Sequence, residues 1–347
     1  VGSAGFIPLC IAIIAQVFAP AERGKVLGAW NSAIPLIGLI APYFGGLLID
    51  QWGWRANYPL ILAASVLSLL AIQHYVPDLA ERSQARFLRS FDWMGVLLLS
   101  GGLATLLLFT SSRPVTGVPA LQDYRLLVAC LTFLALLVWW EWGRSSPYVT
   151  LRFFANRTFT LASVCAGLRM FLMSSISFLL PLYLTDIHGL SASAIGGILA
   201  LQAGALFAIS YVGGDFADRW GSRWLVTISM LGLVAVMAAL AALPAVAPVW
   251  LIALVAAAHG LLIGVSLAPL HRAAMQNVQS SEAGMAAGLY SMLRFAGQIL
   301  GTALAGVFLQ RALEQMATPI DAYQSVYWIF GVVAVINVLV GWGLRDE

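Results

Sequence analysis

Residues 192–243 read ASAIGGILALQAGALFAISYVGGDFADRWGSRWLVTISMLGLVAVMAALAAL. Two long apolar runs flank one short charged turn, Gly214-Asp-Phe-Ala-Asp218-Arg219-Trp-Gly221-Ser-Arg223. A helix needs about 20 mostly apolar residues to cross the hydrocarbon of a bilayer, and each run approaches that length. The turn between them is legible chemically. Gly221 permits a tight reversal, and Arg219 and Arg223 stay at the membrane interface. Asp218 can accept hydrogen bonds from exposed amides at a helix start and meet the positive end of its dipole. The stretch predicts a membrane-spanning helical hairpin.

The rest of the chain repeats this pattern. Of 347 residues, 61% are hydrophobic and only 10% are charged. A soluble domain keeps about a quarter of its residues charged. With a mean hydropathy of +0.90, this chain expects lipid as its main solvent, and in lipid only helices and closed barrels satisfy the backbone. Spans are expected near 1–18, 26–49, 56–76, 93–110, 126–142, 159–184, 193–214, 224–243, 249–270, 285–309 and 324–343, eleven in all. Breaks fall at Pro20 to Arg23, Asp50 to Arg55, Pro77 to Asp92, Arg113-Pro114, and Pro244 to Pro248. The two prolines of the last break divide a run too long for one helix. The fold class is therefore all-α, a polytopic helical bundle.

Lysine and arginine favour the cytoplasmic side. One set of alternate loops, with the C-terminus, holds twelve: Arg23, Lys25, Arg82, Arg86, Arg89, Arg144, Arg152, Arg157, Arg219, Arg223, Arg272 and Arg345. The other set holds four: Arg55, Arg113, Arg125 and Arg311. A miscounted span would scramble this parity, so the C-terminus is expected in the cytoplasm. The net charge of +3 is thus explained by loop topology, and no nucleic-acid partner is expected. Cys10, Cys130 and Cys165 lie far apart in apolar stretches, which suits buried thiols and neither a disulfide framework nor a metal site.

A second motif, Ala41-Pro42-Tyr-Phe-Gly45-Gly46, lies in the second span. Proline removes a helical donor, and paired glycines let a neighbouring backbone approach closely. Together the two motifs resemble the major facilitator superfamily. The 214–223 string is similar to that superfamily's loop signature G-x-L-A-D-R-x-G-x-R, with Phe216 in place of leucine. The 41–46 string is similar to its antiporter motif G-P-x-x-G-G, with Ala41 in place of glycine and the upstream glycines (Gly28, Gly38) only loosely kept. Four spans separate the motifs, and the loop motif closes the next. That count resembles the fourteen-span drug:proton antiporter family. Asp92-Trp93-Met-Gly95, with Asp92 as an N-cap and Trp93 at the interface, is similar to the opening of its seventh span, 147–159 to the stretch before its ninth, and 284–301 to its thirteenth. On this register Val1 falls within the fourth span, and the chain is expected to be an N-terminally truncated piece. The resemblance implies three parts: 1–76, the remainder of an N-terminal bundle; 77–158, a cytoplasmic linker and two additional spans; and 159–347, a C-terminal bundle.

Ionisable groups at membrane depth carry a functional hypothesis by default. Arg169, His259 and Arg294 lie mid-span, and no Asp or Glu does. Histidine titrates near neutral pH, whereas arginine hardly loses its proton. By the resemblance, Arg169 and His259 face the substrate path. The competing readings are a structural ion pair or hydrogen bonds to carbonyls for Arg169 and a satisfied core histidine for His259. Arg294 and Gln298 share a helical face, and Gly297 and Gly301 suit close packing. A mainly structural role is expected for Arg294. Asn31, Gln202 and Asn337 are further polar candidates along the substrate and proton path.

The resemblance implies a secondary transporter of the cell (inner, cytoplasmic) membrane, exporting drugs or other small amphipathic compounds against inward proton flow by alternating access. No cofactor or metal is expected, and no G-x-x-x-x-G-K-[ST] loop for direct use of ATP occurs. Alternatives are a symporter or uniporter for a small, possibly anionic, organic solute, or an inactive piece. A membrane enzyme would need clustered catalytic groups, and His74, His188, His259 and His271 lie at different depths. The sequence leaves the oligomeric state open.

Overall fold

The structure is a computed structural model. It describes the backbone of residues 20–75, 92–110, 116–142, 151–276, 278–279 and 282–344, with Cys10 and Val17; side chains are described for the same residues except 20–25, 27–35, 151 and 210–220. The first expected span, at 1–18, and most of the 77–92 segment lie outside that description, as do Pro147 to Thr150.

The described elements are helical. They are α1 (Pro20–Trp52), α2 (Asn57–Tyr75), α3 (Trp93–Thr110), α4 (Tyr124–Glu141), α5 (Arg157–Asp186) and α6 (Ala192–Trp220). Then follow α7 (Ser222–Ala242), α8 (Val249–Val265), α9 (Leu267–Met275), α10 (Ala283–Gln315) and α11 (Pro319–Trp342). Among the described residues nine helical segments are long and apolar enough to span a bilayer, with a shorter apolar stretch at Leu36–Trp52. The all-α bundle therefore stands, with nine to ten such segments described. One expected span, 249–270, is interrupted: α8 ends and α9 begins at Ser266, whose hydroxyl donates back to the Ile263 carbonyl at 3.1 Å.

Local chemistry sets the helix ends. Asn156 accepts from the amides of Thr158 and Phe159 at 2.9 and 3.2 Å, capping α5. Asp92 accepts from the Gly95 amide at 3.0 Å at the start of α3, the cap expected there, while Trp93 stays exposed. Gly221, at φ +78°, turns α6 into α7, a left-handed conformation that glycine adopts at little cost. Pro244 and Pro248 separate α7 from α8, as the sequence predicts.

The best-buried helix is α5, enclosed by α10, α11 and α9. Lipid tails are as apolar as leucine, so helices in a bilayer are held by close packing and interhelical hydrogen bonds. Both operate between α5 and α10. A Cβ on Gly297 would overlap the Gly167 carbonyl, and one on Gly301 would overlap that of Phe171. Ser174 and Ser175 donate across the seam to the carbonyls of Gln298 and Gly301 at 2.8 and 3.1 Å. The pair α3–α4 packs as its own hairpin, with Trp140 donating from Nε1 to Asp92 at 3.1 Å. Arg311 of α10 donates to the Ala120 carbonyl in that hairpin's loop.

Candidate functional site

The site grows out of the packing of α1, α6 and α8. α1 and α6 approach until their backbones touch. A Cβ on Gly46 would overlap the Ala192 carbonyl, and one on Gly196 would overlap that of Pro42. The 41–46 motif thus provides close approach, as its glycines predict, through Gly46; Gly45 meets only Asn57, at ordinary contact distance. On the other side of α6, Gly260 of α8 sits against the Gln202 carbonyl with no room for a Cβ. Glycines on three helices therefore bring them together.

Where this packing loosens, a cavity of about 370 Å³ opens, within the size range of small-molecule sites. Gly38 and Pro42 of α1, Met173 and Ser177 of α5, and Leu199 and Leu206 of α6 line it, with Gln202 and Ala203 of α6 and His259 and Gly260 of α8. Its polar centre is the Gln202–His259 pair, Nε2 to Nδ1 at 2.6 Å. His259 is 1% exposed and Gln202 8%. Two of the expected path residues are thereby brought together.

The others are elsewhere. Arg169 is 2% exposed and is packed between helices, where its NH1 donates to the Ile263 carbonyl of α8 at 3.0 Å. It is not among the residues lining the cavity. No carboxylate pairs with it among the described residues, and its Nε has no partner there. Arg294 lies with its guanidinium 5.6 Å from the centre of the Tyr290 ring, likewise outside the cavity lining. Asn337 is fully buried; oriented to satisfy both neighbours, its amide bonds the Cys165 carbonyl and the Arg169 amide of α5 at 3.3 Å each. The Asn31 side chain lies outside the described residues, as do those of Asp218 and Arg219. Gly214, Asp218 and Arg219 fall within the last turns of α6, so Asp218 precedes the α7 cap position, which Gly221 occupies. Arg223 stacks on Trp342 of α11 at 4.9 Å.

One contact was not singled out from the sequence. Asp50, at the end of α1, accepts from the amides of Ala192 and Ser193 at 2.9 and 2.8 Å. It thereby caps a helix 142 residues away in the chain and complements that helix's dipole. The only local signal is an acidic residue at the end of an apolar run, which marks an interface but names no partner.

Among the described residues no group of histidine, cysteine and carboxylate side chains could hold a metal ion. The arrangement instead offers a small apolar chamber, one hydrogen-bonded polar pair and a seam of bare backbone.

The chain is similar to known proteins. The family model described as Major Facilitator Superfamily matches residues 1–156 and 159–347. "Multidrug resistance protein B homolog" of Mycobacterium tuberculosis (strain ATCC 25618 / H37Rv) is 30% identical over 87% of this chain and 56% of its own length. "Riboflavin transporter RibZ" of Clostridioides difficile (strain 630) is 23% identical over 98% of this chain and 74% of its own length. The crystal structure of a bacterial homolog of the human lysosomal transporter Spinster superposes with a TM-score of 0.59 and 16% identity. It covers 98% of this chain and 74% of that one, a likeness of fold.

Proposed function

Since the chain belongs to the Major Facilitator Superfamily, we propose that it serves proton-coupled export of small amphipathic compounds by alternating access. The observation that carries this reading is the cavity at the α1–α6–α8 junction, with the Gln202–His259 pair in it. A midplane site between two helical groups is what a rocking transporter exposes to one side and then the other. The α1–α6 seam is the gate of that motion, with Gly46, Gly196 and the Asp50 cap holding one state closed. In this reading residues 1–76 and 159–347 are the moving halves, 77–158 lies between them, and the C-terminus is cytoplasmic.

Histidine is the side chain whose charge changes near neutral pH, and His259 is the titratable group among the described residues that line the cavity. It is therefore the proposed proton carrier of this chain. The names of the relatives, multidrug resistance and riboflavin transport, support an amphipathic cargo for this chain.

The protein reconstituted in vesicles is expected to move a fluorescent amphipath when a pH gradient is imposed, and to stop when a protonophore collapses the gradient. Flux indifferent to the gradient would replace export coupled to protons with a uniporter in the same fold. Arg169, a buried cation with no carboxylate beside it among the described residues, favours an anionic solute for that second reading. No flux of any compound would overturn both.

A further inference from the structure

The chamber at the α1–α6–α8 junction shares its α5 wall with a second cavity. Met173 and Ser177, one turn apart on α5, line the chamber. The same two side chains line a cavity of about 260 Å³ between α5 and α10. The two cavities are neighbours across that ridge, and their linings differ in kind. Leu199, Ala203 and Leu206 of α6 make much of the first apolar. The second sets Ser174, Ser177, Gln298 and Thr302 beside Met170 and Phe178.

The polar groups of the second cavity are within reach of a ligand, since Ser177, Gln298 and Thr302 are exposed. Gln298 and Thr302 stand one turn apart on α10 and so share a face. The Gln298 backbone carbonyl accepts from the Ser174 and Thr302 hydroxyls at 2.8 and 3.3 Å. Its side-chain amide lines the cavity and bonds no described residue. An amide offers donors and an acceptor at once. Ser177 donates to the Met173 carbonyl at 2.9 Å and Thr302 to that of Gln298, which leaves both hydroxyl oxygens to accept.

None of the described residues lining this second cavity is ionisable. Arg294, one turn before Gln298, lies over the Tyr290 ring at 5.6 Å, and Arg169 donates to the Ile263 carbonyl. Neither lines the cavity. A charged head would enter without a counter-charge, which is costly.

We propose that the two cavities form one site for uncharged amphipaths. The chamber takes the apolar body, and Gln298, with the Ser177 and Thr302 hydroxyls, takes a head that both donates and accepts hydrogen bonds. This rests on the transporter reading above and narrows its cargo. Met170 and Met173, unbranched and polarisable, let the site adapt to different outlines.

The test uses three fluorescent coumarins that differ only in the head: a primary carboxamide, its N,N-dimethyl form, which accepts but does not donate, and an anionic carboxylate. Each is titrated by fluorescence polarisation onto the purified protein in lipid nanodiscs, with empty nanodiscs as the blank. The carboxamide is expected to bind about tenfold more tightly than either of the others, a comparison that needs no substitution. Gln298→Leu should bring the carboxamide to the level of the dimethylamide and leave the dimethylamide unchanged. Ala203→Trp fills the chamber and should abolish binding of all three. Equal binding of the three heads, lost in Ala203→Trp, would overturn the head compartment and leave the transporter reading standing. Tighter binding of the carboxylate would overturn the uncharged class. A carboxamide preference that survives Gln298→Leu would overturn the role of Gln298. Absence of any binding that Ala203→Trp removes would overturn the proposal together with the chamber on which the transporter reading rests.

Discussion

A guanidinium deep in a helical bundle must find acceptors within reach of its own stem. Arg169 finds the Ile263 carbonyl and the Met170 sulfur, at 3.0 and 3.5 Å. The carbonyl keeps a second donor, the Ser266 hydroxyl at 3.1 Å. An ionised group without a counter-charge is costly to bury, and an apolar side chain of similar length removes that cost. Arg169→Met should therefore leave the unfolding free energy within about 1 kcal/mol of the parent, or raise it, as read from thermal unfolding in detergent. A large loss of stability would show the guanidinium to be a structural keystone. The residue types at depth were legible in the sequence: His259, Gln202, Arg169 and Arg294 stand out against apolar surroundings. Their directions were not. Arg169 and His259 occupy similar depths on different helices, yet one is packed between helices and the other lines the chamber. Helix rotation decides this, and an apolar run all round the helix gives no face to read.

Helix α10 carries two kinds of glycine. Gly297 and Gly301 lie against carbonyls of α5, whereas Gly288 has no atom within 4 Å of where a Cβ would stand. Overpacking costs about 1–3 kcal/mol, so Gly301→Leu should lower the melting temperature and open the α5–α10 seam. Gly288→Ala should hold or raise it, since alanine is favoured over glycine inside a helix by about 1 kcal/mol. Thermal unfolding of the two variants side by side checks the contrast, and equal effects would contradict it. The spacing of Gly297 and Gly301 announced close packing in the sequence, but the partner carbonyls did not, being contributed by a helix 126 residues away. At the end of α1, Asp50→Ala removes an acceptor from two amides of α6. A lost cap costs about 1 kcal/mol. Spin labels on the ends of α1 and α6 should accordingly report a wider separation, or a broader distribution, in the variant. An unchanged distribution would mean that the glycine seam holds these ends without the carboxylate.

Across the whole molecule, hydropathy and the two motifs gave the helices, their breaks at Pro244, Pro248 and Gly221, and the superfamily. Neither could foretell that α6 would be gripped on one side by α1 and on the other by α8, because the closest of those contacts are made of backbone and glycine, and the side chains that join them, Asp50 and the Gln202–His259 pair, name no partner in the sequence. Alternating access requires that seam to part and re-form as cargo passes. Asp50 reaches the Ser193 amide at 2.8 Å, which brings these two positions of α1 and α6 together. The most direct measurement is flux through vesicles containing Asp50→Cys/Ser193→Cys before oxidation, after it, and after reduction. Oxidation should arrest transport and reductant should restore it; a cross-linked protein that still transports at the uncross-linked rate would contradict the account.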